Sequence, residues 1–421
     1  MKISDDGKTL IKVLDKTAEH ITIPEGVEVI GVKAFSDCKA LQSVDMPNSV
    51  TTIEKWAFEG CSSLKSVDIP KSVTTIGEWA FFRCYSLNSV DIPKSIITIG
   101  KAALAWCSSL KSIYIPNSVT IIGGGAFFGC ISLQSIDIPD SVTTIGESAF
   151  KWCSSLQSIN VAEENQHYAA IDGVLYSKDL TIIKKVPEGA GLKSFSISDS
   201  VTTIGMGAFS RCKALQNIDI PNSVTTIGEW AFDDCEALQS VNIPDSVTTI
   251  GEWAFSRCKA LQSVDVSNSI TTIDKRAFSD CEALQSINVA KENQHYASID
   301  GVLYSKDLTI IKKVPQGAGL KSFNIPNYVT TIGEWAFSRC KALQSIDISN
   351  SVTTIKKWAF GHCSSLQCIH IRNTNIEELD IAEDAFDGVN MDECILYIPA
   401  GTRWEYRHHP VFGKFKNIEI E

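Results

Sequence analysis

Cysteine offers the most chemistry in this chain and has the most regular spacing. Twelve of the fourteen fall in three runs: Cys38, Cys61, Cys84, Cys107, Cys130 and Cys153; Cys212, Cys235, Cys258 and Cys281; and Cys340 with Cys363. Within each run the step is 23 residues. A structural zinc site needs closely paired ligands such as Cys-x-x-Cys, but no such pair occurs, and the step of five from Cys363 to Cys368 matches no common pattern. Equivalent cysteines in coils stacked about 5 Å apart would lie within disulfide reach. Each one, however, sits in an apolar phase of its repeat, where a free thiol behaves as a small hydrophobe. Buried, reduced thiols are the expectation, with no metal and no cofactor.

Catalysis would need a nucleophile beside a base, or paired carboxylates in a cleft. The seven histidines, His20, His167, His295, His362, His370, His408 and His409, are scattered, and His167 and His295 repeat each other inside near-identical segments. An active site is normally unique, whereas almost every feature here is duplicated, so the chain is read as non-enzymatic. Gly123-Gly124-Gly125 only fills the place taken by Gly-Glu-Trp in other repeats and is not a phosphate loop.

The elements that position these residues follow from one unit. Written from Leu238 to Ala260, it runs Leu-Gln-Ser-Val-Asn-Ile-Pro-Asp-Ser-Val-Thr-Thr-Ile-Gly-Glu-Trp-Ala-Phe-Ser-Arg-Cys-Lys-Ala. The Leu-x-x-Val-x-Ile portion alternates apolar and polar residues, as a strand buried on one face does. Proline ends that strand, and Pro-x-Ser turns the chain. Val247 and Ile250 point inward again, while Ala254, Cys258 and Leu261 follow at the spacing of one helical face, so the convex side is expected to carry a short helix or a turn. One coil cannot bury these residues alone, which requires neighbouring coils to stack with their strands in parallel. The fold class is therefore a leucine-rich-repeat solenoid, α/β and curved, with a parallel β-sheet on its concave face.

Leading leucines from Leu41 to Leu366 count fourteen coils, and two steps, Leu156 to Leu192 and Leu284 to Leu320, are 36 residues long. In these long coils Glu-Asn-Gln-His-Tyr leads to Asp-Gly-Val-Leu-Tyr, at 164–176 and 292–304. Each is read as a coil that loses its helical side and extrudes a β-hairpin, near 161–191 and 289–319. Both ends should be caps, because a solenoid must cover its exposed core. An N-terminal hairpin cap is expected over 1–24, the solenoid over 25–371 and a C-terminal cap over 372–421.

Between the inward residues of each strand, one side chain per coil faces out. In chain order these are Asp45, Asp68, Asp91, Tyr114, Asp137, Asn160, Ser196, Asp219, Asn242, Asp265, Asn288, Asn324, Asp347 and His370. This concave ladder is the candidate ligand-binding surface; the plainer reading is a solvated sheet face whose Asn and Ser members dilute the charge. Calcium is disfavoured, since it wants six to eight converging oxygens. Trp56, Trp79, Trp230, Trp253, Trp335 and Trp358 share one repeat position and form a second candidate, an aromatic flank suited to sugar rings or protein partners, or simply packing between turns.

Composition removes several classes. With 38 Lys and Arg against 49 Asp and Glu, the net charge is −11, and no basic cluster is present, which argues against nucleic-acid partners. No apolar run is long enough for a transmembrane helix, so no membrane insertion is expected. Met1 is followed by Lys2-Ile3-Ser4-Asp5-Asp6 without a leader pattern, so either the chain is cytoplasmic or a leader has been removed.

The unit Leu-x-x-Ile-x-Ile-Pro-x-Ser-Val-x-x-Ile-Gly-x-x-Ala-Phe-x-x-Cys resembles the BspA-like class of leucine-rich repeats over nearly the whole chain. The Asp-Gly-Val-Leu-Tyr coils and the ending Leu396-Tyr397-Ile398-Pro399-Ala400-Gly401 resemble elements of the same family. The resemblance implies a bacterial surface or secreted protein that binds other macromolecules, adhesin-like, with proteins as partners and glycans as an alternative through the Trp flank. An intracellular scaffold is the third reading. Ligand identity and oligomeric state stay open.

Overall fold

Each ordinary coil passes through three columns, and the sequence dictates all three. In the first, the strand of Leu-x-x-Val-x-Ile buries its central aliphatic residue and exposes its neighbours, as in Ser66–Asp68 and Ser89–Asp91. In the second, the Thr-Thr-Ile segment makes a two-residue strand such as Thr52–Ile53 or Thr75–Ile76, with its isoleucine inward. The third column is the Gly-x-x-Ala-Phe-x-x-Cys segment. Equivalent residues pair in parallel at the 23-residue step, for example Asp68 with Asp91 and Ile53 with Ile76. The result is a parallel-strand leucine-rich-repeat solenoid.

The computed structural model describes all 421 residues and falls into two units, Met1–Leu192 with Ser200–Cys212, and Lys193–Asp199 with Lys213–Glu421. In the first unit the Thr-Ile column is an eight-stranded sheet running from Lys2–Ile3 to Thr144–Ile145, parallel except for the opening pair Lys2–Ile3 and Thr9–Lys12. In the second unit the first column includes a five-stranded sheet that starts at Ser322–Asn324 and ends at Asn417–Ile420.

Of helix and turn on the third column, the chain forms turns. The N–H groups of Trp56, Phe58 and Gly60 donate to the carbonyls of Glu78, Ala80 and Phe82 in the next coil, at 3.0, 2.7 and 2.8 Å. Those of Ala57, Glu59 and Cys61 close tight turns onto residues three back. A helix would spend all these donors within itself; here alternate donors join coil to coil. That geometry needs left-handed backbone twice per coil, at the Trp position and just before Cys, as at Trp79 (φ 59°) and Arg83 (φ 61°). Inside this column the phenylalanines stack, with ring centroids 4.5 Å apart for Phe35 and Phe58 and 5.0 Å for Phe337 and Phe360.

The twelve cysteines of the 23-residue runs line the same interior, whereas Cys368 opens the strand Cys368–Ile371 and is only partly buried. All fourteen are free. The thiol of Cys61 donates to the carbonyl of Phe35 at 3.1 Å, and Cys84 bonds Phe58 in the same way. Burial pushes these thiols up, Cys340 to about 11 and Cys130 and Cys281 to about 12.

The long coils keep only a remnant of the third column, in which the N–H groups of Val186 and Val314 donate to the Ala208 and Ala336 carbonyls at 2.7 and 2.8 Å as those of the phenylalanines do elsewhere. After the strand Ser158–Val161 the chain makes an antiparallel hairpin, Tyr168–Ile171 with Val174–Ser177, and then Ile182–Lys185, which takes the Thr-Ile place beside Thr203–Ile204. Asp172 and Gly173 form the two-residue turn, with φ of 50° and 77°. The hairpin does not project as expected. Its turn folds against the preceding strand, where the Ile159 N–H donates to the Gly173 carbonyl at 2.8 Å; a Cβ at residue 173 would lie 2.9 Å from that of Ser158. The second long coil repeats this with Tyr296–Ile299, Val302–Ser305 and Ile310–Lys313.

The N-terminus reproduces the end of a hairpin coil in detail. The Thr9 N–H donates to Ser4 Oγ at 2.8 Å, as the Ile182 N–H does to Ser177 Oγ at 2.9 Å. At the other end the helix Arg403–His408 buries Tyr406, whose hydroxyl donates to the Asn373 carbonyl, and Phe412 and Phe415 close over Phe386.

Candidate functional site

The ladder residues lie where alternation puts them. Asp45, Asp68, Asp91, Asp137, Asn160, Ser196, Asp219, Asn242, Asp265, Asn288 and Asn324 are exposed, and Tyr114 joins Asp91 through a parallel bridge. Several members bond along the row. The Asn160 amide donates to Asp137 at 2.7 Å and that of Asn288 to Asp265 at 2.9 Å, while His20 lies 3.0 Å from Asp45. Hydrogen bonds within the row therefore occupy some of the carboxylate oxygens along the stripe. Asp347 and His370 are different: Arg372 grips Asp347 with two nitrogens, Glu421 contacts both Arg372 and His370, and His370 stacks on Tyr397 at 4.6 Å. Those two positions are tied up by the C-terminal strand. No group of three or more His, Cys, Asp or Glu side chains is placed to hold a metal ion.

The tryptophans Trp56, Trp79, Trp230, Trp253, Trp335 and Trp358 are all half-buried, each in the left-handed position of its turn. Their neighbours differ from coil to coil. Lys33 and Lys55 cover Trp56; Trp335 and Trp358 stack at 5.0 Å; and the Arg276 guanidinium lies over both Trp253 and Trp335, at 4.7 and 4.3 Å. A further aromatic group gathers Trp106, Phe128 and Trp152, with ring centroids 5.6 to 5.8 Å apart. Gly129 allows it, since a Cβ there would meet the Trp106 ring at 2.8 Å. Because Gly124 and Gly125 replace the bulky Glu-Trp pair, an open depression of about 660 Å³ forms, bordered by Trp79, Phe82, Trp106 and Phe128.

Each hairpin coil leaves a gap in the turn column, and each gap is a cavity. The first, of about 230 Å³, is lined by Tyr168, Leu175, Lys184 and Lys185 among others. The second, of about 400 Å³, is lined by the equivalent Tyr296, Leu303, Lys312 and Lys313, together with Arg276 and Trp335. In both, the tyrosine hydroxyl accepts the N–H at which the Thr-Ile sheet stops, Ile145 or Ile273, at 2.9 Å. Around the second gap, long side chains reach across to partners 59 residues away, one ordinary plus one hairpin coil: Lys275 to Glu334, Arg339 to Asp280 and Lys341 to Glu282.

The two cavities differ in how a buried lysine is balanced. Lys185 contacts Glu188 at 3.5 Å and donates to the Ser210 carbonyl at 3.2 Å; Glu188 also takes Arg211 at 3.3 Å and the Trp152 N–H at 2.7 Å. At the second hairpin, Gln316 stands in the place of Glu188, and its own amide takes the Ser338 carbonyl at 3.0 Å. Lys313, only 8% exposed, is left donating to the Trp335 carbonyl at 3.3 Å.

With this geometry in hand, comparison with protein-family models decides the lineage. The BspA type leucine rich repeat region, in six copies, matches residues 15–130, 82–184, 180–300 and 308–398. The chain belongs to the BspA-type leucine-rich-repeat family. A solved leucine-rich cell-surface protein from Faecalibacterium prausnitzii A2-165 is 30% identical, with 82% of this chain and 91% of that one covered and a TM-score of 0.59. A leucine-rich-repeat protein from Eubacterium ventriosum is 24% identical over 79% of this chain and 85% of its own, with a TM-score of 0.54, a likeness of fold. A search of the curated proteins finds no match. Proteins of the BspA type are in general binding modules rather than enzymes. No helix of the chain is long and apolar enough to cross a membrane.

The features of this BspA-type chain that sequence reasoning missed are the cavities and their lysines. A signal was present in Ile182-Ile183-Lys184-Lys185: on a strand, Lys185 must share the face of Ile183, and both are buried. The exchange of Glu188 for Gln316 between otherwise similar coils was the second clue.

Proposed function

We propose that the chain is a non-enzymatic interaction module of a bacterial cell surface, an adhesin-like protein that holds partner macromolecules along its ladder. The observation that carries this reading is the register. Asp68 stands opposite Asp91, and Asp137 opposite Asn160, so polar side chains repeat at the strand spacing on a backbone fixed by its own hydrogen bonds. Individual exposed polar contacts contribute only about 0.2 to 1 kcal/mol. A row of them engaging one partner gains from effective concentration and becomes strong in sum. Likeness to the F. prausnitzii cell-surface protein supports the location. In this reading residues 1–24 and 372–421 act as caps on the repeats.

A second reading, glycan binding, draws on the aromatic depression beside Gly124 and Gly125, where flat apolar walls of Trp79 and Trp106 suit the faces of sugar rings. Beads coated with the chain, presented to panels of host surface proteins and of polysaccharides, separate the two. If the ladder binds, Asp68→Ala, Asp91→Ala and Asp137→Ala each weaken attachment to a protein by about two- to fivefold, and the loss at Asp137 multiplies that at Asp68, whereas the paired neighbours Asp68 and Asp91 are coupled. A triple variant that binds as well as the wild type would sink the ladder reading. Attachment to polysaccharide that Trp79→Ala and Trp106→Ala abolish, with the aspartates irrelevant, would install the second.

A further inference from the structure

The cavity at the second hairpin coil has no counterpart in the binding surfaces above. Its volume of about 400 Å³ falls in the range of small-molecule sites, about 300 to 1,000 Å³, whereas the first hairpin cavity at about 230 Å³ does not. Its charge is one-sided. Lys275, Arg276, Lys312, Lys313 and Lys356 line it against Asp274 and Glu334, and Glu334 is engaged by Lys275 at 3.3 Å.

Two of these cations lack full compensation. Lys313 donates to one carbonyl, where its counterpart Lys185 has Glu188 as well. Arg276 packs its guanidinium over Trp253 and Trp335; its nearest carboxylate oxygen, on Glu252, is 3.9 Å away, and its Nε is buried without a hydrogen-bond partner. A buried ammonium and an unpaired guanidinium nitrogen are costly unless an anion meets them. Burial holds the Lys313 amine below the usual lysine range, with Asp280 and neighbouring thiols opposing this. Tyr296 and Trp335 add apolar walls.

We propose that this cavity is a binding site for a small organic carboxylate, whose anionic group is received by Lys313 and Arg276 while its body lies against Trp335 and Tyr296. A carboxylate in the cavity supplies Lys313 with the counter-charge that Glu188 gives Lys185, from the cavity side, since neither Glu188 nor Gln316 lines its own cavity. Substituting Gln316 with glutamate therefore supplies that charge from within and competes with the ligand.

Isothermal titration of the full chain with glucuronate, and with glucose as its neutral counterpart, tests the site. Glucuronate is expected to bind once per chain, and glucose at least tenfold more weakly. Lys313→Met and Gln316→Glu are each expected to lower the glucuronate association constant tenfold or more. Gln316→Glu keeps Lys313 and gives it a partner, so it remains informative if Lys313→Met fails to fold. No heat with glucuronate, equal binding of glucose, two sites per chain, or wild-type affinity in Gln316→Glu would each overturn the proposal.

Discussion

The amide of Asn165 donates to the carbonyls of Pro139 and Val142, and its oxygen accepts the N–H groups of His167 and Tyr168. Asn293 repeats all four roles with Ser267, Ile270, His295 and Tyr296. Both side chains are fully buried. Alanine at either position strands two carbonyls and two N–H groups away from water, so Asn165→Ala is expected to cost about 3 kcal/mol, read from urea unfolding. A loss under about 1 kcal/mol would mean that water replaces the amide. The sequence marked this Asn by its recurrence but not by its role, because the carbonyls it serves lie 23 and 26 residues earlier. The same holds for serine in Pro-x-Ser-Val. Read alone it is a local turn former, yet Ser72 and Ser246 each donate to a valine carbonyl 22 residues back, at 2.6 Å.

At the scale of the element, the third column is where spacing misleads. Ala254, Cys258 and Leu261 fit a helical face, and all three are buried, but the intervening left-handed residues Trp253 and Arg257 turn alternate N–H groups toward neighbouring coils. No propensity of Trp or Arg announces a positive φ; the stacking partner imposes it. The strands were legible because their alternation is local, and the inward cysteines were legible for the same reason. Their thiols make a pH prediction. Cys130, Cys212 and Cys281 are pushed up to about 12 from an ordinary 9.0 by burial. The folded state keeps a proton that the unfolded chain releases, so their contribution to stability is complete below pH 9 and is lost as the pH rises toward 12. Each such thiol withdraws roughly 1.4 kcal/mol per pH unit in that window. Denaturant midpoints are expected to fall steeply between pH 9 and 10 and stay flat from 7 to 8; a flat profile through pH 10 would show that the thiols are not shielded.

For the whole molecule, the repeat means that one coil's loss is a loss of length and not of a core. Leu238 and Leu261 begin successive coils, and each is followed by Gln-Ser-Val. Excising 239–261 joins Leu238 to Gln262 and leaves the strand Ser263–Val266 to pair where Ser240–Val241 did, with the phenylalanine and cysteine rows each one member shorter. In a protein with a single closed core, removing 23 residues that include Val241, Val247, Ile250, Phe255 and Cys258, all buried, would abolish folding. Thermal unfolding of that deletion variant, followed by circular dichroism beside the wild type, is the most direct measurement. Interchangeable coils require a cooperative transition with the wild-type spectrum and a midpoint lowered by no more than about 5 °C; a variant with no cooperative transition would contradict them.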